Sequence, residues 1–597
     1  MSAVTARGTS VATWRSVRSA AGMLRARWFA VLVGMVCVQG TLVWSMPFLL
    51  ALVHATLRQL DLGGVNQYTA ATVLTSPLAI LVLVVVAVTA TVLVLAEVTL
   101  FAVIGHLTLE GERVTFTSVL RRSRATARKM AGWQGLLLIP YLTVLLPISE
   151  VGFSSFLTEH VAIPKFISGE LLKTPSGTVL YLLVMGAVVY AMLRFLLFPA
   201  IISGFEDRIV PALGRSLRLT RWRALIGFGL VMLATSLLAW IILVLLGGLG
   251  LAPVAWARSH TAAGVVLGLL ELAQFLVAGF AAAFLAFSFV ASVRASADRP
   301  IEVPSSSPSG HRTRAVSGAV LVVAVLSATP QVVAAINGAA AAAQTSPEII
   351  GHRGYPARAV ENSLAGLHAA DNAGADMVEM DIQETRDGGF VVMHDVGLRR
   401  LAGVDRAVYE LTEDEVTALT LRQGGHTAPV PTLAEFVREA DARGVRLLVE
   451  VKPHGHEQPE FARRVVAELD RLDPDRTHMI QSLDRDFIEE ISRLDPDRPT
   501  AYVVGFQIGN LPTASTDAVV IEDWSVHDRM LNEAHRQGRD LYTWTVNEVG
   551  LLSDHMARGA DGVITDEVDR AVAVRERLTA DPLTFYRERA RGLVAIR

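Results

Sequence analysis

Seven apolar runs fill most of the first 340 positions, at about 28–53, 71–99, 135–156, 178–203, 224–253, 263–293 and 315–337. Crossing the hydrocarbon core of a bilayer takes roughly 20 apolar residues, and most of these runs are longer. A cleaved signal peptide would end after one short apolar segment. The pattern therefore predicts an all-α polytopic membrane domain of about seven spans over 1–340. The run 135–156 holds Pro140, Pro147 and Glu150, so a broken or re-entrant helix is expected there. Glu97, Glu150 and Glu271 lie near expected span ends or in that doubtful run. An interfacial or packing role is expected for them ahead of a transport path.

Charge gives the expected orientation. Arginines cluster before the first run (Arg7, Arg15, Arg18, Arg25, Arg27) and after the second (Arg113, Arg121, Arg122, Arg124, Arg128, with Lys129). They cluster again after the fourth (Arg208, Arg215, Arg218, Arg221, Arg223) and the sixth (Arg294, Arg299, Arg312, Arg314). The intervening loops carry only Arg58, then Lys165 and Lys173, then Arg258. The positive-inside rule puts the N-terminus in the cytoplasm, and seven crossings put everything after about residue 340 outside. The polar stretch 300–314 is a Pro/Ser linker between the sixth and seventh spans.

The remainder of the chain has a different composition. Of 57 acidic residues, 12 precede position 345 and 45 follow it. A mean hydropathy of +0.42 thus averages two chemically distinct halves. The single cysteine, Cys37, excludes a disulfide-built fold. A net charge of -3 gives no reason to expect a nucleic-acid partner.

From 347 onward short β-type runs alternate with helical stretches. Strands are expected at 348–351, 376–382, 389–393, 445–451, 477–480, 500–504, 517–521, 540–545 and 562–564. Helices are expected at 361–373, 431–443, 458–471, 484–494, 528–538 and 549–558. This alternation predicts an α/β (β/α)8 TIM barrel over 345–575. The stretch 396–430 is a small insertion over one mouth, and 576–597 is a C-terminal tail.

Polar residues gather where strands end, and in such a barrel these ends converge at one mouth. His352 and Arg353 follow the first strand, and His394 and Asp395 follow the third. Glu379 and Asp381 share one face of a strand, being two residues apart, as do Glu450 and Lys452. Trp544 and Asn547 close a later strand. Three carboxylates offer only hard oxygen ligands, which suits Ca²⁺ or Mg²⁺ better than zinc. A hard cation beside Arg353 and Lys452 fits a phosphate group. Lys452 is also the only lysine after residue 173. His352 and His394 titrate in the range needed for proton transfer. Alone, an E-x-D or an H-R-G is weak, and His426, His454 and His456 are expected to be loop residues. The combination at four strand ends is what carries weight.

Residues 347–566 resemble the glycerophosphodiester phosphodiesterase family. The shared motifs are Ile350-Gly351-His352-Arg353-Gly354, Glu361-Asn362-Ser363, Gly374-Ala375-Asp376 with Glu379-Met380-Asp381, Thr385-Arg386-Asp387-Gly388 and Val392-Met393-His394-Asp395. They continue with Pro431-Thr432-Leu433, Glu450-Val451-Lys452, Trp544-Thr545-Val546-Asn547 and Asp561-Gly562-Val563-Ile564-Thr565-Asp566. The first half resembles, more loosely, the multi-span region fused to some bacterial members. The resemblance implies metal-dependent hydrolysis of glycerophosphodiesters to glycerol 3-phosphate and an alcohol. It implies that Glu379, Asp381 and Glu450 ligate one Ca²⁺ or Mg²⁺ ion, with His352 and His394 as general acid and base. Arg353 and Lys452 would hold the phosphate, Glu361 and Asn362 would support the site, with Glu361 near the metal or glycerol hydroxyls, and Trp544 would line the glycerol pocket. Val360, Ser363, Met380 and the Gln481-Ser482-Leu483 segment depart from the usual pattern without removing a ligand or catalytic group. Three readings stay open beside hydrolysis of small glycerophosphodiesters. They are lysophospholipase D-type cleavage of lysophospholipids, a membrane sensor or scaffold that binds without cleaving, and a transporter carrying a processing domain. The expected surroundings are a bacterial cell membrane, with pairing of two copies through the membrane domain left open.

Overall fold

The computed structural model describes residues 7–60, 62–66, 68–130, 133–137, 172, 175–205, 208–256, 259–301, 303, 346–581 and 583–587. Five of the seven apolar runs fall on helices. The first lies within α1 (Arg7–Gln59), which is kinked at Arg27. A two-residue strand, β1 (Gly64–Val65), and the short α2 (Ala70–Thr75) lead to α3 (Pro77–Leu109), so the second run is broken at Ser76–Pro77. Then follow α4 (Phe116–Met130), α5 (Pro175–Phe195), α6 (Phe198–Gly204), α7 (Ile209–Leu219), α8 (Trp222–Trp256) and α9 (His260–Ala295). Among the described residues, four helical stretches are long and apolar enough to cross a membrane: Trp14–Val38, Pro175–Gly204, Trp222–Leu249 and Ala262–Ala295. The runs 135–156 and 315–337 lie outside the described residues, apart from the start of the former in a 3-10 turn at Trp133–Leu137. Glu150, the Glu97 side chain and most of the 300–314 linker lie outside them too.

The membrane domain packs α1, α3, α6 and α9 around Met23, Val31, Phe101, Ile104, Phe198, Ile201, Phe287 and Val290. The α5 and α8 faces instead expose Leu182, Leu183, Leu233, Leu237 and Leu245. Such an apolar exterior is stable only against lipid. At the basic end, Glu110 accepts from both Arg122 (3.2 Å) and Arg294 (3.1 Å), and Lys129 donates to the Ile202 carbonyl (2.9 Å). The amphipathic, arginine-rich α4 and α7 lie at that same end.

The second half is a closed barrel. Its parallel strands are β2 (Glu348–Gly351), β3 (Met377–Glu384), β7 (Arg446–Val451), β8 (Met479–Ser482), β9 (Thr500–Val504), β11 (Ala518–Glu522), β12 (Asp540–Trp544) and β13 (Gly562–Thr565), closed by β2 pairing with both β13 and β3. Alternation along each strand separates two cores. Ile350, Leu448, Val503, Val520, Tyr542 and Ile564 fill the barrel. Ile349, Val449, Ile480, Val519 and Val563 face the surrounding helices. The helices are α10 (Leu364–Asn372), α11 (Leu433–Arg443), α12 (Phe461–Leu472), α13 (Arg485–Leu494), α14 (Asp528–Arg536), α15 (Val549–Ala557) and α16 (Val568–Ala580). Their starts follow local chemistry. Thr432 and Glu435 form a reciprocal capping box at α11, and Ser363 and Asp484 cap α10 and α13.

Three features depart from an ideal eightfold alternation. The strand expected at 389–393 is β4 (Phe390–Val392), which pairs antiparallel to the end of β3 outside the barrel. The 396–430 insertion is present as expected. It folds as short turns and a hairpin of β5 (Thr420–Gln423) and β6 (His426–Pro429) over a small core of Leu398, Leu401, Val408, Val416 and Leu421. The β9 to β11 connection holds no helix, only the two-residue β10 (Ile508–Gly509), which pairs with β1 of the membrane domain.

Both ends of the barrel touch the membrane domain. β10 lies near the mouth, just after the C-terminal end of β9. At the base, Ala557, Phe585 and Tyr586 pack against Ala263 and Leu267 near the start of α9. The barrel therefore lies on its flank against the ends of α1 and α9. The last barrel helix runs to Ala580, beyond the boundary expected at 575.

Candidate active site

The mouth is assembled from strand ends whose inward positions carry charge instead of the Val, Leu and Ile found deeper. Glu379 and Asp381 on β3 and Glu450 on β7 are all buried, each offering an oxygen within 4.8 Å of the others. β3 and β7 are paired in register, with Asp381 opposite Glu450. Burial, then the nearby Asp381 and Glu450 charges, push the Glu379 carboxyl well above its usual range. Burial also raises Asp381, but Lys452, His394 and Arg353 outweigh it and hold that carboxyl well below its ordinary value. Three hard oxygen donors that repel one another in a buried cluster fit a divalent cation of the Ca²⁺ or Mg²⁺ class.

Two cations bridge this cluster. Lys452 Nζ lies 3.2 Å from Asp381 Oδ1 and 2.6 Å from Glu450 Oε1. Burial lowers its pKa, but the two carboxylates more than reverse that, so it stays a cation. Arg353 approaches Asp381 through Nε at 3.5 Å, and its backbone N–H donates to Glu379 Oε2 at 2.7 Å. That N–H is aimed by a left-handed backbone at Arg353, with φ +53°, uncommon for a residue with a side chain. Asn362, also left-handed at φ +56°, donates from Nδ2 to Asp381 Oδ2 (2.7 Å) and accepts from the Asp381 N–H (3.1 Å).

Each candidate histidine has its own carboxylate. His352 Nδ1 lies 2.7 Å from Asp566 Oδ1, and Asn547 Nδ2 donates to Asp566 Oδ2 at 2.7 Å. His394 Nδ1 lies 2.7 Å from Asp395 Oδ1, whose other oxygen accepts from Arg400. A carboxylate at Nδ1 selects the Nδ1–H tautomer and leaves Nε2 with the lone pair. His352 and Asn547 hold the Asp566 carboxyl at about 2 despite the upward push of burial. Burial lowers His394 below its ordinary value, opposed by Asp381 and Asp395.

Glu361 sits apart from the three-carboxylate cluster. Arg400 grips it with both guanidinium nitrogens, Arg353 Nη1 donates to it at 3.1 Å and Gln423 Nε2 at 2.8 Å. Burial would raise its pKa, but Arg400 and Arg353 bring it to about 2. Trp544 packs over the barrel core at the mouth, with Nε1 donating to the Val504 carbonyl at 3.3 Å. The structure thus brings all ten candidate residues to one end of the barrel.

Sequence reasoning did not assign roles to Asp395, Asp566 and Asn547, although all three stand in the quoted motifs. It missed Arg400 and Gln423 altogether, and it noted Gln481 only as a departure from the family pattern. Gln481 Nε2 donates to Glu450 Oε2 at 3.0 Å. Arg400 and Gln423 belong to the insertion, and only the folded chain brings them to Glu361.

Comparison with known proteins points to one family. Residues 352–570 match the glycerophosphoryl diester phosphodiesterase family, and residues 21–328 match the membrane domain of glycerophosphoryl diester phosphodiesterase. A putative glycerophosphodiester phosphodiesterase of Bacillus subtilis is 29% identical over 37% of this chain and 95% of its own length. Human glycerophosphodiester phosphodiesterase 1 is 30% identical over 23% of this chain and 46% of its own. Among solved structures, a putative glycerophosphoryl diester phosphodiesterase from Silicibacter pomeroyi covers 39% of this chain and 95% of its own, at 26% identity and a TM-score of 0.36. A phosphodiesterase from Oleispira antarctica, solved with the product sn-glycerol-3-phosphate, covers 39% and 100% at 23% identity and a TM-score of 0.36.

Proposed function

The chain belongs to the glycerophosphodiester phosphodiesterase family, joining that family's membrane domain to its catalytic barrel, and we propose that it cleaves its substrates by paired histidine acid–base catalysis at a divalent-cation site. The observation that carries this reading is the pair of carboxylate-anchored histidines, His352–Asp566 and His394–Asp395, beside the buried Glu379–Asp381–Glu450 cluster. These three carboxylates would hold one Ca²⁺ or Mg²⁺ ion, which supplies positive charge to the phosphate oxygens when bound.

The protein's own groups account for the rest. Arg353 and Lys452 neutralise and orient the phosphodiester. One histidine takes the proton from the glycerol 2-hydroxyl as its oxygen bonds to phosphorus. The bond from phosphorus to the leaving alcohol breaks, and the second histidine gives that alcohol its proton. The product of this step is a cyclic 1,2-phosphate. In the second step the roles reverse, and water opens the ring to glycerol 3-phosphate. Nucleophile and phosphorus sit on one small substrate, which gives the first step an intramolecular advantage. Trp544 offers an apolar wall for the glycerol carbons.

Two features support a barrel on the extracytoplasmic side. Ser19 Oγ donates to the Ile301 carbonyl at 3.1 Å, so residues 301 and 303 lie by the basic start of α1. The barrel meets the opposite end of α1. Residues 303 and 346 thus lie toward opposite ends of the bundle, and the interval between them holds the seventh apolar run of the sequence. With the basic end in the cytoplasm, the barrel is outside. Lying on its flank at that surface, it could be reached by lysophospholipids as well as by soluble diesters.

The test is glycerol 3-phosphate release by the full-length protein in lipid. Glycerophosphocholine and a lysophospholipid serve as separate substrates, each with Ca²⁺, Mg²⁺ or EDTA, beside His352→Ala. Cation-dependent release lost in His352→Ala is expected. Release that survives both EDTA and the substitution would overturn the mechanism. Turnover of a 2-deoxy analogue would exclude the cyclic route.

A further inference from the structure

The β9 to β11 connection is the one place where the barrel lacks its flanking helix, and the membrane domain occupies it. β1 pairs antiparallel with β10, Gly64 opposite Gly509 and Val65 opposite Ile508. The Gly63 carbonyl accepts from the Asn510 N–H at 3.1 Å. Asn66 Nδ2 donates to Gln507 Oε1 at 3.2 Å, and both residues are buried. The other end of the Asn66 amide is occupied as well: Oδ1 accepts from the N–H groups of Tyr68 and Thr69, each at 3.0 Å. The fit leaves no slack. A Cβ at Gly64 would collide with the Gln507 amide and come within 2.8 Å of the Ile508 carbonyl oxygen. Gly509 has φ +121° and approaches Leu57 at the end of α1.

The segment gripped in this way is a wall of the mouth. Residues 505–510 continue directly from the C-terminal end of β9. The Gln507 N–H donates to Ser525 Oγ at 2.9 Å, in the turn that ends β11, and His527 Nε2 lies 3.0 Å from the Gly509 carbonyl. Val504, at the root of the segment, accepts from the indole of Trp544. A short chain of contacts thus runs from the membrane domain, through 507–510, to the proposed glycerol pocket.

We propose that loop 62–66 of the membrane domain is a positioning element of the active site, holding the 505–510 lip so that substrate affinity is set jointly by both domains. This rests on the catalytic reading above, because it takes the Trp544 side of the mouth as the substrate wall. The lip has no helix of its own to anchor it. Among the described residues its only backbone ladder partner is β1, so releasing β1 leaves the lip held by the Ser525 and His527 side-chain contacts alone, while the carboxylate cluster and the two histidine pairs stay in place.

The test uses full-length protein in lipid with Asn66→Ala and, separately, Gly64→Ala. The first removes the buried amide donor, and the second forces β1 away from Gln507. In both, KM for glycerophosphocholine is expected to rise about tenfold with kcat and its pH profile little changed. Amide hydrogen exchange should accelerate in 505–510 and remain as in the wild type in β2, β3 and β7. Asn66→Asp keeps the acceptor for Tyr68 and Thr69 but loses the donor to Gln507 Oε1, and Gln507 Nε2 is already taken by the Asn510 carbonyl at 2.6 Å, so the same rise in KM is expected although the 66–69 turn stays intact. An unchanged KM in both variants would overturn the proposal. So would faster exchange spread over the whole barrel, since loop 62–66 would then support the domain and not the lip. A wild-type protein without activity would fail the catalytic reading instead, and exchange in 505–510 would still decide whether the clasp forms.

Discussion

Asp566 shows how much of the site depends on residues that never meet substrate in the proposed chemistry. It fixes the tautomer of His352, and Asn547 fixes Asp566. Asp566→Asn keeps the shape but can present an amide N–H to Nδ1, favouring the wrong tautomer. We expect kcat to fall by about 10²-fold or more with KM nearly unchanged. An equal fall in 1/KM would mean that Asp566 acts on binding. Glu379 gives a second prediction. In the metal-free protein it is one of three buried carboxylates repelling one another, so metal-free Glu379→Gln should be at least as stable as the metal-free wild type. Ca²⁺ or Mg²⁺ should raise the Tm of the wild type only; saturation to 100 times Kd corresponds to about 2.7 kcal/mol. Equal stabilisation of both proteins would place the ion elsewhere. At this scale the sequence was informative for residues on strands, because period-2 spacing alone puts Glu379 with Asp381 and Glu450 with Lys452. It was silent on Arg400 and Gln423, whose partner Glu361 lies 39 and 62 residues away across an insertion with no periodic pattern.

Among the elements, strand and helix positions in the barrel followed the apolar alternation to within two or three residues. The misfits share a cause. β1 and β10 are two residues long and β5 and β6 bury one residue each, Leu421 and Ala428, so no apolar period registers, and each is held by its partner strand. The base of the barrel adds a stability prediction. Arg498 is fully buried and binds Asp473 (2.7 Å), Asp495 (3.0 Å) and Asp470 (3.1 Å), tying the ends of α12 and α13 to the start of β9. Arg498→Met leaves Asp473 without its guanidinium, while Arg476 still pairs with Asp495 at 2.7 Å. Breaking a buried pair costs about 3–5 kcal/mol, and the surviving Arg476 contact places this loss toward the lower end. Thermal unfolding should report it as a lower Tm. Activity at low temperature should hold, because the mouth lies at the other end of the strands.

For the whole molecule, hydropathy and arginine placement were enough to separate the membrane domain from the barrel and to suggest an orientation. The contact between the two was not legible, since its strands are separated by more than 440 residues and carry no motif. The orientation is directly testable. In a Cys37→Ser background, Asp405→Cys on the barrel insertion should react with a membrane-impermeant maleimide on intact cells. Arg121→Cys on α4 should react only after lysis. The reverse pattern would invert the topology. The two attachments at the ends of α1 and α9 also act as two pins. One pin would let the barrel swivel about the membrane normal, but a pin at the lip and another at the base give the mouth a fixed compass bearing relative to the bundle. Reactant and product then come and go along one lateral heading, and any neighbour that supplies or consumes them gains by standing on that side of the bundle.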